Sequence, residues 1–336
     1  MNGGATAVWG ALRLEGRGEA GWHLRRIHPM AACEIFAGLR QPGGVQGLVL
    51  EVPIEAVAPD VNLPQSRGFS LEAQLLGSSH SGHVRFALAL ADPAYESVFA
   101  TLCDHVAEAA ASAPTARLGL REWVRQLHVW QEFMARHGPG GLSHEAILGL
   151  IGELIILKDR LAPHLGTAAA VAAWAGPSGE PNDFELSGGY LEVKATSRQA
   201  PDTLQVSNLD QLDDRRGVIM LASVRLRPDP GGMTLPGLVS ELRRLTSVER
   251  GRTLTDLNAR LLAPGYVDVH ADLYPSTWIA DRIDFYAVRD DFPRLTPLDV
   301  RPGVRSCSYS IAIADCAPFL ATGTDLEVVM GRRAND

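Results

Sequence analysis

A short hairpin pattern constrains the fold of this chain more than any other feature. Residues 181–197 read PNDFELSGGYLEVKATS, in which two runs of partly alternating apolar and polar residues flank the turn SGG. Glycines between two such runs predict a tight turn, and the runs themselves predict β-strands. The segment therefore predicts a hairpin with Asp183 at the start of its first strand and Glu192 and Lys194 in its second.

The elements around this hairpin alternate between helices and strands. A helix is predicted to about Leu161 before the hairpin, and strands at TLQVS and GVIMLASVRL follow it, with a short helix through NLDQLDD between them. Two more helices, about Leu235 to Glu249 and about Leu254 to Leu262, precede strands at DRIDFYAV and CSYSIAIA. This order predicts an α/β fold.

The first part of the chain has a different pattern. Its first ninety residues predict a small sheet, and helices follow at about Ala94 to Ala111 and Leu118 to His137. The segment RHGPGGLSHE then provides the turn residues typical of a domain boundary. We therefore predict a β-rich domain with a helical connector over residues 1–138 and a second domain over residues 139–336.

Composition excludes several classes of protein. The apolar stretch Ala146 to Leu157 is interrupted by Glu153 and is shorter than the roughly 18 to 20 residues of a membrane span, so no membrane association is predicted. The N-terminus lacks a signal-peptide pattern, which favours a cytoplasmic location. The four cysteines are far apart and predict neither a zinc site nor a disulfide framework.

Three side chains of the hairpin indicate a catalytic site. Residues two apart in a strand share a face, so Glu192 and Lys194 are expected to point the same way, with Asp183 brought beside them by the turn. Phosphodiester hydrolysis needs a hard cation held by oxygen ligands. We predict that Asp183, Glu192 and the Val193 carbonyl bind Mg²⁺ or Mn²⁺, and that Lys194 stabilises the attacking hydroxide or the developing negative charge.

The scarcity of lysine supports a special role for Lys194. Of 31 basic residues only Lys158 and Lys194 are lysines, and the others are arginines. An ammonium is compact and its pKa can change, whereas a guanidinium is planar and always charged. A lysine that persists in such a chain therefore indicates a site where arginine does not fit.

These residues resemble the PD-(D/E)XK nuclease superfamily, with PND as the first half-motif and EVK as the second. The runs GLIGELIILKDRL and LQVSNLDQLDD, with the hairpin between them, resemble a bacterial family of PD-(D/E)XK motif proteins over about residues 120–320. The resemblance implies a restriction-endonuclease-like core, a mixed central sheet flanked by helices, and a setting among restriction, modification or phage-defence genes. The eight residues between Asp183 and Glu192 are at the short end of the superfamily's range.

The resemblance also implies two further site residues. In the superfamily an acidic residue on the first core helix often completes the site, and Glu153 of the run GEL matches it. A glutamate in so apolar a helix would be costly to bury without a partner. Gln211 is an accessory candidate for orienting water or phosphate, although a surface glutamine explains its presence equally well.

We therefore predict a metal-dependent DNA endonuclease of a bacterial restriction or phage-defence system. The twofold symmetry of duplex DNA favours a homodimer. The chain has no P-loop and no methyltransferase motif, so an ATPase or methyltransferase would be a partner subunit. The alternative is a non-catalytic nucleic-acid-binding or assembly subunit that retains the nuclease fold, which the net charge of −8 favours. A third interpretation makes Glu192 and Lys194 an exposed surface pair.

Overall fold

A computed structural model describes the chain at residues 4–16, 18–59, 61–77, 82–198, 203–248, 253–304 and 306–331. The chain divides into two compact units, the first ending at Gly141 and the second beginning at Leu142. This division lies three residues beyond the boundary predicted from the sequence. No helix in the described ranges is both long and apolar enough to span a bilayer.

The N-terminal unit contains one sheet and three helices. Its elements are α1 (Ala5–Leu14), β1 (Gly21–Ile27), β2 (Glu34–Gln41), β3 (Val45–Pro53), β4 (Phe69–Leu75), β5 (His83–Leu90), α2 (Glu96–Ala111) and α3 (Ala116–Arg136). The five strands pair antiparallel in the order β1-β2-β3-β5-β4. Helices α2 and α3 pack against each other and against β3, and α1 packs against β2. The β-rich N-terminal region is therefore confirmed, with α1 as an addition.

Tryptophans on the helices fill much of the core of this unit. Trp9 of α1 stacks on Phe99 of α2, and its indole N–H donates to the Gly47 carbonyl at 3.0 Å. Trp123 and Trp130 of α3 are fully buried. The helical spacing of these aromatic residues thus reflects packing against the sheet.

The C-terminal unit contains the predicted α/β core. Its elements are α4 (His144–Ile156), a π-helical turn (Leu157–Leu161), α5 (Ala162–Leu165), α6 (Thr167–Ala173), β6 (Phe184–Leu186), β7 (Gly189–Thr196), β8 (Thr203–Val206), β9 (Ile219–Met233), α7 (Leu235–Val248), α8 (Thr253–Leu262), β10 (Trp278–Val288), β11 (Tyr309–Ala312), α9 (Ile313–Cys316) and α10 (Gly323–Val329). The helix predicted from about Leu235 is expected to end at about Glu249, and Glu249 lies outside the described residues.

Four strands form the central sheet in the order β10-β9-β7-β6. Strands β6 and β7 form the predicted antiparallel hairpin, β7 and β9 pair in parallel, and β9 and β10 pair antiparallel. A parallel pair inside an otherwise antiparallel sheet makes the sheet mixed, and helices flank it. The predicted α/β, restriction-endonuclease-like fold is therefore confirmed.

Alternating residues of β7 contact different layers. Leu191 and Val193 pack in a core built largely from α4, α6, α7 and α8, whereas Tyr190 packs on the other side with β8 and β11. Because side chains alternate across a strand, Glu192 and Lys194 project on the side of Tyr190. The charged pair therefore faces away from the helix layer.

The structure corrects one detail of the sequence interpretation and adds a second. The segment NLDQLDD forms turns rather than a helix, because the Asn208 side chain accepts from the Asp210 and Gln211 N–H groups and holds a turn. Strand β8 lies outside the central sheet and pairs with β11 in a separate two-stranded sheet. Both differences arise from contacts that local periodicity does not encode.

Two glycines of α4 provide a matched test of how closely this helix approaches β7. A Cβ added at Gly152 would lie 2.6 Å from the Ala195 Cβ, whereas one added at Gly149 would meet nothing within 4 Å. Overpacking usually costs about 1–3 kcal/mol, and replacing glycine in a helix gains about 0.5–1 kcal/mol. We expect Gly152→Ala to lower the free energy of unfolding by about 1–2 kcal/mol and Gly149→Ala to raise it, as measured by urea denaturation. Equal effects of the two substitutions would contradict this close packing.

Candidate functional site

Asp183 is held by both its backbone and its side chain. Trp174 forms an isolated bridge with Phe184, and the N–H groups of Ala175 and Gly176 donate to the Asp183 carbonyl at 2.8 and 3.0 Å. The Asp183 carboxylate accepts from the Val193 N–H at 2.7 Å. Asp183 therefore lies beside β7, immediately before the first residue of β6.

Glu192 and Lys194 form an ion pair beside this aspartate. The Lys194 Nζ lies 2.8 Å from Glu192 Oε1, and the Glu192 side chain is only 1% exposed. Such burial excludes the interpretation of an exposed surface pair. A pair removed from solvent retains much more of its electrostatic interaction than one on the surface.

Glu153, on α4, interacts electrostatically with Asp183, Glu192 and Lys194. Ser143 caps the N-terminus of this helix, because its hydroxyl accepts a hydrogen bond from the Ala146 N–H. The Trp174 indole N–H donates to Glu153 Oε2 at 2.7 Å. Trp174 thus contacts Glu153 through its side chain and Phe184, the neighbour of Asp183, through its backbone.

Burial raises the pKa values of all three carboxylic acids, and the Asp183 charge adds to the shifts of Glu192 and Glu153. Burial, reinforced by the charge of Asp183, raises the pKa of Glu192 from 4.5 to about 8 although Lys194 opposes the shift. Burial raises the pKa of Asp183 from 3.8 to about 6 against the Val193 hydrogen bond and the Lys194 charge. Burial and the Asp183 charge raise the pKa of Glu153 well above its ordinary value, while the Trp174 hydrogen bond lowers it. The three acids therefore hold their protons more strongly than exposed carboxylic acids do.

The structure places Gln211 in contact with the cluster and adds Asn182 to it. Gln211 Oε1 accepts from Lys194 Nζ at 3.2 Å and from the Ser207 N–H at 2.9 Å. Asn182 Nδ2 donates to the Gln211 carbonyl at 2.7 Å and lies 3.4 Å from Glu192 Oε2. Sequence reasoning missed Asn182, although a short amide next to the motif aspartate was a visible signal.

The donor set fits a partly hydrated divalent cation. Among the described residues, no three His, Cys, Asp or Glu side chains are gathered closely enough to form a complete cage. Mg²⁺ seldom uses such a cage and is usually held by one or two carboxylates, waters and substrate phosphates. Asp183 and Glu192 can supply two carboxylates. The Val193 carbonyl lies on the Asp183 side of β7, because the N–H and C=O of one strand residue share a side.

An open cleft of about 450 Å³ adjoins Lys194. Its lining includes His144, Thr196, Arg198 and Gln205, and Glu145 contributes an acidic group. The cleft gives a substrate a route to the ammonium group.

The comparison with protein families agrees with this architecture. Residues 5–314 match the family model DUF4420, described as "Putative PD-(D/E)XK family member". No curated protein and no solved structure gave a significant match to the chain. Since the family match covers nearly the whole sequence, the chain belongs to the DUF4420 family of PD-(D/E)XK proteins.

Proposed function

We propose that this protein is a metal-dependent endonuclease that hydrolyses phosphodiester bonds in DNA. The observation that carries the proposal is the group of three carboxylates that interact with the single ammonium of Lys194, namely the buried Glu192, which pairs with it, and Asp183 and Glu153, which interact with it electrostatically. PD-(D/E)XK nucleases typically use divalent metals, and the family match makes this chemistry the natural expectation.

The charge of the cluster supports a divalent cation. With all groups ionised, three carboxylates and one ammonium carry a net charge of −2, which a divalent cation would neutralise. Asp183, Glu192 and the Val193 carbonyl would hold Mg²⁺ or Mn²⁺. When bound, the ion would polarise a phosphate oxygen and lower the pKa of a water molecule.

Lys194 is suited to stabilise the negative charge of the reaction. An ammonium has three N–H donors, and Glu192 and Gln211 use two of them. The third can donate to a phosphate oxygen or to the attacking water at the edge of the cleft. A guanidinium has more donors but is larger and holds them in a rigid plane, so it would not place a donor at the same position.

Glu153 is suited to assist the water. Burial and the Asp183 charge raise the pKa of Glu153, which makes it a stronger base than an exposed carboxylate and suits it to accept a proton from water. The Trp174 indole fixes one of its oxygens and leaves the other to orient water. The role we propose for Glu153 is therefore proton transfer or water orientation.

DNA is the proposed substrate for a chemical reason. Hydrolysis by an external water needs no 2′-hydroxyl on the substrate, so the site suits a deoxyribose backbone. Lys194 and Arg198 bring positive charge to the cleft, which attracts phosphates. Cutting both strands of a duplex favours a homodimer, and we place the protein in a bacterial restriction or phage-defence system with ATPase or methyltransferase partner subunits.

One observation favours a second candidate function, a non-catalytic nucleic-acid-binding or assembly subunit. Within the described cluster, Asp183 already accepts a backbone hydrogen bond and Glu192 already pairs with Lys194. Carboxylates whose hydrogen bonds and ion pairs are already formed within the protein could contribute to stability alone. Metal-dependent cleavage separates the two candidates.

The two lysines allow a matched activity test. We expect the wild type to nick or linearise supercoiled plasmid DNA with Mg²⁺ or Mn²⁺. Lys194→Arg and Asp183→Asn should each reduce the rate about 100-fold or more, because a preorganised charge near the reacting phosphate is lost or displaced. Gel-based cleavage rates provide the measurement.

Lys158→Arg is the control for this test. Lys158 pairs with Asp159 and Glu241, away from the cluster, so arginine there should leave the rate unchanged. Cleavage by Lys194→Arg at the wild-type rate would remove Lys194 from the mechanism. Cleavage that persists at full rate in Asp183→Asn would reject the site.

Stability should depend on pH through Glu192. Its pKa is raised in the folded state, so the folded protein keeps its proton to higher pH than the unfolded chain does. The wild type should therefore lose stability relative to Glu192→Gln as the pH rises from about 4.5 to about 8, by on the order of 5 kcal/mol. Denaturant unfolding of the metal-free proteins at several pH values measures the difference.

Glu185→Gln is the matched control, because Glu185 is exposed on β6 of the same hairpin. Its stability difference from the wild type should stay nearly constant over this pH range. If the stability difference between the wild type and Glu192→Gln also stays constant, ionisation of Glu192 does not destabilise the fold, and the prediction is wrong. Adding Mn²⁺ at pH 8 should reduce this loss of stability in the wild type.

A further inference from the structure

We propose that Gln211 is a positioning residue that holds Lys194 in place through a closed ring of hydrogen bonds. The functional consequence rests on the endonuclease function proposed above, whereas the ring itself rests on contacts within the C-terminal unit. This role differs from the orientation of water or phosphate that the sequence suggested for Gln211.

Four residues form the ring. Glu192 Oε1 pairs with Lys194 Nζ at 2.8 Å, and Lys194 Nζ donates to Gln211 Oε1 at 3.2 Å. The Gln211 carbonyl accepts from Asn182 Nδ2 at 2.7 Å, and a longer contact of 3.4 Å joins Asn182 Nδ2 to Glu192 Oε2. Gln211 therefore contacts both partners of the Glu192 carboxylate, one with its side chain and one with its backbone.

The surroundings fix which atom of the Gln211 amide faces Lys194. The Ser207 N–H also donates to Gln211 Oε1, at 2.9 Å. A backbone N–H and an ammonium are both donors, so the oxygen and not the amide nitrogen must occupy this position. The orientation thus follows from the chemistry of its two neighbours.

The segment that carries Gln211 is itself anchored. Leu212 is fully buried in the core beneath β8 and β11, and the Asn208 side chain holds the preceding turn. Asn182, at the other side of the ring, is 2% exposed. Both ends of the ring therefore rest on parts of the fold with little freedom to move.

This restraint matters because lysine is the most flexible member of the cluster. Its four-carbon stem allows many rotamers, and a single ion pair does not select one of them. Glu192 and Gln211 together direct the ammonium, so that its remaining donor faces the reaction. Gln211 does not need to touch the substrate, so its loss should lower kcat about tenfold or more and change KM little.

The two lysines make the ring directly observable by NMR. We would label the full-length protein with ¹⁵N-lysine and record the side-chain ammonium signals of the wild type, Gln211→Met and Gln211→Glu. Lys158 serves as an internal reference in every spectrum. Gln74→Met, an exposed site on β4, is the control for replacing glutamine by methionine.

We expect a protected Lys194 ammonium signal in the wild type. In Gln211→Met the exchange of its protons with water should become at least about tenfold faster, with Lys158 unchanged. Gln211→Glu keeps an oxygen at the same position and should retain the protection. An unchanged Lys194 signal in Gln211→Met, or a wild-type signal that exchanges as fast as an exposed lysine, would overturn the proposal.

Two further measurements distinguish failure of the ring proposal from misfolding of the variant and from failure of the proposed function. If Gln211→Met does not fold, as judged by circular dichroism, Gln211→Asn withdraws the oxygen by one methylene and should show the same faster exchange. Absence of that change in folded Gln211→Asn would also overturn the ring. A protected Lys194 in a wild type that binds no metal and cuts no DNA would reject the proposed function and leave the ring intact.

Discussion

The grouping of three carboxylates, of which Glu192 is fully buried, beside one ammonium is the constraint on which the C-terminal unit depends. Each of these carboxylates accepts from a donor of the protein. The Val193 N–H serves Asp183, the Trp174 indole serves Glu153, and Lys194 serves Glu192. Two of these donors lie on β7 and the third follows α6, whereas Glu153 lies on α4, so the cluster forms only when the hairpin, α6 and α4 are assembled together.

The different uses of lysine and arginine fit this arrangement. Arginines supply exposed ion pairs, as between Arg282 and Asp284, and Arg85 also pairs with the buried Glu51. Burial of the carboxylate alone therefore does not require a lysine. Lys194 differs because its ammonium also donates to a glutamine oxygen, a position suited to three rotatable donors on a compact group.

Local patterns predicted much of the fold and part of the site. The hairpin, the shared face of Glu192 and Lys194, and a special position for Glu153 follow from alternation, a glycine turn and one charge in an apolar helix. The roles of Asn182 and Trp174 were missed, because they depend on partners 10 to 29 residues away in the chain, although the position of Asn182 beside Asp183 was a visible signal. The turn around Gln211 was missed for a related reason, since the Asn208 side chain competes with the helix that the sequence suggested.

Binding of Mn²⁺ tests the central claim most directly, because it probes the charge of the cluster without requiring a partner or a substrate. Isothermal titration of wild type, Asp183→Ala and Glu185→Ala would compare a cluster carboxylate with an exposed one on the same hairpin. The account predicts that the wild type and Glu185→Ala bind Mn²⁺ alike and that Asp183→Ala binds it more than about tenfold more weakly. Indistinguishable binding by the wild type and Asp183→Ala would contradict a metal site at this cluster.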